Sequence, residues 1–423
     1  STDGETGAVI WTLENGAKII LKETANRNNE IIFYAMALGG LTSAAPADFT
    51  AVRLASEMAN VSGLGLYSLP DLMKKLAGRQ ASFSSWISEI MRGFRGSAAS
   101  GDVQTLFEML NLYFTRLRID PGAAAVMIDQ YRTTLAQRNE DPDTVFSDEI
   151  TQTVYGNNPW YKPLELADLS RADPDKAMAF LRRTLNPADY TFFFVGNLDM
   201  ETMRRCAETY LASIPRGEAF NVWTDPNISR PGKTEKRVYK GKEGRSLVYM
   251  AWYRDAEWSE KASVTAQVLS GYLDIRMTEE IREKLGGVYS ISVNVSAAPS
   301  PRGELFMGVS FACDPRRAEE LSAAVTALLD RTLSEPMDGG TFDKSVEALQ
   351  KEWEASIQSN LYIAQSYANS SVLLGTPLSR LNNRPALFRG VRPAEIKDML
   401  GRLLPGGPAR IILYPENEAP PGL

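Results

Sequence analysis

The order of elements in the first half of the chain returns in the second half, about 210 residues later. Val9–Leu13 and Ala17–Lys22 flank Asn15-Gly16, a dipeptide favoured in tight hairpin turns. Ile31–Leu38 reads as a further strand, closed by Gly39-Gly40. A helix follows, capped by Asp48 or Thr50, with Val52, Ala55, Met58 and Ala59 as its apolar stripe and an end near Gly63. Ile87–Phe94 predicts a strand, and Val103–Arg116 a helix with Leu106, Met109, Leu110, Tyr113 and Phe114 on one face. Tyr190–Val195 and Met200–Ile214 add another strand and helix.

From Pro215 to Lys236 the periodicity lapses, and Gly217, Pro226, Pro231 and Gly232 mark a linker. Beyond it, Leu247–Tyr253 stands where Ile31–Leu38 stood, and Ser259–Lys284 where the first long helix stood. Glu304–Cys313 and the helix Arg316–Leu329 repeat the next strand and helix. A period this long means a duplicated domain rather than a solenoid. Strands of alternating polarity joined by hairpins and helices predict an α+β fold. We expect two duplicated α/β sandwich domains, each a mostly antiparallel sheet covered by helices. The expected boundaries are 1–216 for the first, 217–236 for the linker and 237–423 for the second.

Composition removes most common chemistries. The 423 residues contain no histidine, so the imidazole that serves as base or ligand in most serine, cysteine and zinc hydrolases is absent. Cys206 and Cys313 stand in apolar patterns and read as buried thiols, not as zinc ligands or a disulfide. Gly241-Lys242-Glu243-Gly244 fits a turn better than a phosphate cradle, and Gly63-x-Gly65 follows a helix, the wrong context for a dinucleotide site. A net charge of -6 argues against a nucleic-acid surface. No apolar run approaches the roughly 18 residues of a membrane span. The chain opens on the polar stretch Ser1–Gly7 without a signal peptide or initiator Met, which reads as a processed form or an excised fragment.

One passage is more specific: Arg282-Glu283-Lys284-Leu285-Gly286-Gly287-Val288-Tyr289-Ser290. With Trp11–Lys18, Ala37–Gly40, Phe193–Asn197 and the two-domain repeat, it resembles the pitrilysin/insulinase-type zinc metallopeptidases, which include mitochondrial processing peptidase. The resemblance covers about residues 8 to 415 and is to the lobe opposite the zinc. The family's zinc lobe carries H-x-x-E-H on its first long helix and a glutamate ligand further on. Here Arg53, Ser56 and Glu57 stand at those motif positions, and Thr133–Ala136 supplies no carboxylate where the later ligand would fall. Arg53 and Glu57 are i,i+4 neighbours, able to form a solvated pair or to line a remnant cleft.

Arg282 and Tyr289 admit two readings. By pattern alone, Arg282 complements the negative end of a helix stopping at Gly286-Gly287, and Tyr289 is a half-buried aromatic on the face of Ile291, Val293 and Val295. The resemblance implies instead that the two side chains reach a substrate carbonyl, orienting the peptide and helping to stabilise oxyanion charge. It further implies a non-catalytic lobe with no cofactor of its own. A partner lobe, in the same polypeptide or as a separate subunit, would supply zinc and act on peptides or unfolded protein. The setting would be the periplasm or cytoplasm of a bacterium. A scaffold subunit without proteolytic role, or a module that captures extended peptides on a sheet edge, are the alternatives.

Overall fold

The computed structural model describes residues 1–418. One sheet contains β1 (Val9–Thr12), β2 (Lys18–Glu23), β3 (Ile31–Leu38), β4 (Ala81–Ile87), β5 (Met91–Ala98) and β6 (Thr191–Gly196), in the order β1-β2-β6-β3-β5-β4. A second contains β7 (Thr234–Tyr239), β8 (Ser246–Asp255), β9 (Val288–Ala298), β10 (Glu304–Cys313) and β11 (Ala409–Tyr414), in the order β7-β11-β8-β10-β9. β2–β6 and β7–β11 are parallel pairs, and the other pairs are antiparallel. With β1 set aside, the sheets share one strand order and one parallel position. This is the α+β duplication that the sequence repeat predicts.

The helices used below are α1 (Phe49–Ser62), α2 (Val103–Thr115), α3 (Pro121–Arg138), α4 (Pro142–Val154), α5 (Glu260–Met277), α6 (Ala318–Ser334), α7 (Asn360–Ala368) and α8 (Pro393–Leu403). Chain contacts divide the molecule into two compact units that are not continuous in sequence. One unit is 1–134, 165–225 and 355–382; the other is 135–164, 226–354 and 383–423. The break at Asp225/Pro226 falls inside the glycine- and proline-marked stretch.

In the first unit Phe33 and Phe194 on the sheet lie 5.0 Å apart, and Phe107 of α2 stacks on Phe194 at 4.7 Å. Phe193 points to the opposite face of β6 and is equally buried. That strand is therefore covered on both sides. Helix α7, from far along the chain, packs on β3 and β6. Asn360 fixes it there, bonded to Thr24 Oγ1 at 2.7 Å and donating to Glu30 Oε1 at 2.9 Å. The second unit borrows in the other direction. Phe146 of α4 packs with Ile411 and Leu413 of β11, while α5, α6 and α8 contribute to the larger core.

A buried ion pair holds the end of the first unit. Arg92 donates to Asp189 at 3.1 Å, to the Tyr190 hydroxyl at 3.0 Å and to the Phe220 carbonyl at 2.7 Å. Asp189 also accepts from the Phe220 N–H at 2.8 Å. The segment following Ile214 is thus pinned before the chain leaves the unit.

Two local expectations are revised. Ile87–Phe94 is not one strand: the chain turns at Ser88–Ile90, making β4 and β5 a hairpin. β4 was hidden because Ser82, Ser84 and Ser85 erase its hydrophobic alternation. β7 begins at Thr234, inside the stretch read as linker. It is an edge strand with exposed Glu235, Lys236 and Arg237, so no buried face marks it. Cys206 and Cys313 are buried free thiols, and burial pushes the Cys313 thiol up to about 12.

Candidate functional site

The Arg282–Tyr289 passage forms a helix end, a turn and the start of an edge strand. Helix α5 gives way at Thr278 to π-helical winding that runs to Leu285. Such winding is rare and concentrates at functional sites. Glu280 within it is gripped by Arg276 and by Arg331 of α6. Arg282 and Lys284 are exposed, and Leu285 is an exposed leucine. The chain then reverses at Gly286 and Gly287, at φ 64° and 86°, where a side chain would be strained.

β9 opens with a bulge. Ile291 lies opposite Phe311, but Val288 lies opposite Cys313, so β9 spends one residue more than β10 over this interval. The extra residue inverts the alternation. Val288 takes the buried position while Ile291, Val293 and Val295 stay buried, and Tyr289 turns out to solvent at 79% exposure. The pattern-only placement of Tyr289 on the face of those residues is therefore corrected. Arg282 and Tyr289 flank one exposed turn, each with its donor groups directed away from the core.

Both sheets carry side-chain rungs on an edge strand. In the first unit, the Asn60 carboxamide of α1 donates to the Ser85 carbonyl at 3.0 Å and accepts from the Ser85 N–H at 3.0 Å. It presents to β4 what a neighbouring strand would present. In the second unit, Ser270 of α5 bonds the Val293 carbonyl and the Val295 N–H, both at 3.1 Å. Asp274 accepts from the Val293 N–H at 3.3 Å. Each long helix thus blunts the edge beside it.

The residues at the zinc-motif positions share α1. Arg53 lies over the Phe49 ring at 5.9 Å. Ser56 is buried, its hydroxyl without a hydrogen-bond partner among the described residues. Glu57 accepts from the phenol of Tyr131 on α3, a partner that sequence reading missed. Burial, then the Glu57 carboxylate, pushes the Tyr131 phenol up, while Arg53 opposes the shift. Thr133 and Thr134 bond back to the carbonyls of Asp129 and Gln130, both at 3.1 Å. A guanidinium, a buried hydroxyl and a carboxylate already bonded to a phenol do not fit zinc. Among the described residues, no group of three or more Cys, Asp or Glu side chains is placed to hold a metal ion.

Residues 171–349 match the model of the peptidase M16 inactive domain. The chain is thus similar to the M16, pitrilysin/insulinase-type peptidases. It is 24% identical over 368 residues to the probable zinc protease PqqL of Haemophilus influenzae, a match covering 84% of this chain and 39% of that protein. The periplasmic protease PqqL of Escherichia coli superposes with a TM-score of 0.84 at 19% identity, over 98% of this chain and 46% of that one. A peptidase M16 inactive domain from Pseudomonas fluorescens superposes with a TM-score of 0.79 at 16% identity, over 96% of this chain and 98% of that one. The chain therefore spans about two fifths of the length of the PqqL proteins it matches. Among the described residues, no helix is long and apolar enough to cross a membrane.

Proposed function

We propose that this chain is the non-catalytic lobe of a two-lobed zinc endopeptidase. It completes a peptide-binding chamber, and Arg282 and Tyr289 orient the substrate while a partner lobe supplies zinc and base. The observation that carries this reading is the bulge, which turns a strand aromatic out to 79% exposure beside an exposed arginine. A packing role gives no reason to expose a tyrosine, and a phenol paired with a guanidinium offers convergent donors to a peptide carbonyl. The likeness to zinc protease PqqL supports the peptidase assignment, and the likeness to the periplasmic protease of Escherichia coli supports that compartment. The partner lobe belongs to the same polypeptide or to a separate subunit.

The helix rungs on β4 and β9 weigh against a module that captures peptides along these edges, since the mid-edge groups are already bonded. A pure scaffold gives no account of the exposed pair. In the assembly with the zinc-bearing lobe, Tyr289→Phe is expected to lower kcat by about 10²–10³, roughly 3–4 kcal/mol, because it deletes one oxyanion-type donor. Arg282→Lys is also expected to lower turnover, since an ammonium does not reproduce the planar fork. Melting temperatures are expected to hold in both variants. Unchanged turnover with lowered stability would move the scaffold reading to first place. Metal analysis of the isolated chain is expected to find no stoichiometric zinc, and one zinc per chain would overturn the non-catalytic assignment.

A further inference from the structure

We infer that Arg317 is a positioning residue for the Arg282–Tyr289 pair, an inference that rests on the reading of that pair as a peptide clamp. Tyr289 is too exposed for neighbouring side chains to fix its direction, and Arg282 is exposed as well. Their relative placement is therefore set by the backbone between them, from Leu285 through Gly286 and Gly287 to the bulge. A two-glycine turn is the most pliable backbone available, so something else must hold it.

Arg317 holds it. This residue lies just before α6, a few positions after the end of β10, the strand that opposes the bulge. Its Nη1 donates to the Gly286 carbonyl at 2.9 Å and lies 3.5 Å from the Leu285 carbonyl. These are terminal helix carbonyls, which carry partial negative charge and lack partners within the helix. The guanidinium is itself aimed by Glu320, which accepts from Nε at 2.9 Å and from Nη2 at 2.7 Å. A fork that engages a carboxylate on one side and a carbonyl on the other is geometry that lysine does not reproduce.

Gly287 completes the latch. A Cβ there would lie 2.2 Å from Arg317 Nη1, so the missing side chain is the space the guanidinium uses. Glycine is favoured here by its positive φ, and a side chain would have to push the guanidinium aside. One side chain thus ties the end of the helix carrying Arg282, the turn, and the β10 end opposite Tyr289.

The experiment is a double-mutant cycle in the assembly with the zinc-bearing lobe, with Arg317→Ala, Arg317→Lys and Tyr289→Phe alone and in combination. Arg317→Ala is expected to lower kcat about 10–100-fold with a smaller change in KM, the range that misplacing a catalytic contact commands. Arg317→Lys is expected to recover little of that loss. In the Tyr289→Phe background, Arg317→Ala is expected to cost markedly less, because the group it positions is gone. Amide exchange across Gly286–Ser290 of the isolated chain is expected to quicken about tenfold in either Arg317 variant. If Tyr289→Phe costs turnover while Arg317 variants do not, or if the two losses simply add, the positioning role is overturned and the clamp reading stands. If Tyr289→Phe itself costs nothing, both fall together. Should Arg317→Ala fail to fold, Arg317→Lys and Glu320→Gln carry the same test, and exchange rates equal to wild type in those variants would refute the latch.

Discussion

Arg92 and Asp189 show how much one residue pair can decide. Both side chains are 2% exposed and 3.1 Å apart, deep in the first unit. Exchanging such a pair for well-packed apolar groups can be nearly neutral, but removing one partner strands a buried charge. Asp189→Ala is therefore expected to destabilise the unit by about 3–5 kcal/mol, a large share of the roughly 5–15 kcal/mol that holds a domain folded. Asp189 also receives the Phe220 N–H, so loosening of the 217–222 segment should accompany the loss. Urea unfolding and proteolysis near Phe220 check both; an unchanged midpoint would show that the pair is dispensable. No pattern in the sequence marks Arg92 as buried. It lies in β5 beside Gly93, and the groups that satisfy it come from positions 53 to 128 residues away.

At the scale of elements, Asn60 is the testable case. Asn60→Ala leaves the Ser85 N–H and carbonyl without their rung, at a cost of about 1–2 kcal/mol for partly buried groups. The Ser85 amide should exchange faster while amides in the second unit keep their rates. Equal exchange at Ser85 in both proteins would mean that the rung contributes nothing. Most strands and long helices were legible in the sequence because each buries one face: Ile31–Leu38 and Glu304–Cys313 were read with the observed boundaries. What was illegible broke the counting rule. The extra residue at the start of β9 shifts the parity, so a period of two placed Tyr289 on the wrong face. β4 was lost to its serines, and the π-helical winding of Thr278–Leu285 looks like ordinary helix in one dimension. The passage holding Arg282 and Tyr289 was found by resemblance, whereas Tyr131 beside Glu57 and Arg317 beside Gly286 needed coordinates.

At the scale of the whole molecule, the compact units differ from continuous stretches of sequence. The first unit needs residues 355–382, whose helix α7 packs on β3 and β6. A fragment ending at Asp225 contains every strand of the first sheet but lacks that cover. Its exposed face includes residues such as Phe193, and burying one large apolar side chain contributes about 1.5–3 kcal/mol. The fragment is expected to bind hydrophobic dye and to melt without a sharp transition, and addition of the 355–382 segment in trans should restore cooperativity. A sharp, dye-free melt of the fragment alone would refute this. The same interleaving bears on how the molecule is made. Glu30 and its partner Asn360 are 330 positions apart, so at about 5–20 residues per second a ribosome takes roughly 16–66 s to travel between them. Throughout that interval the first sheet emerges with one face bare, and the β11 strand that α4 covers is made later still. Neither unit can close before the other is nearly synthesised, so the nascent chain carries bare apolar surface until β11 leaves the tunnel.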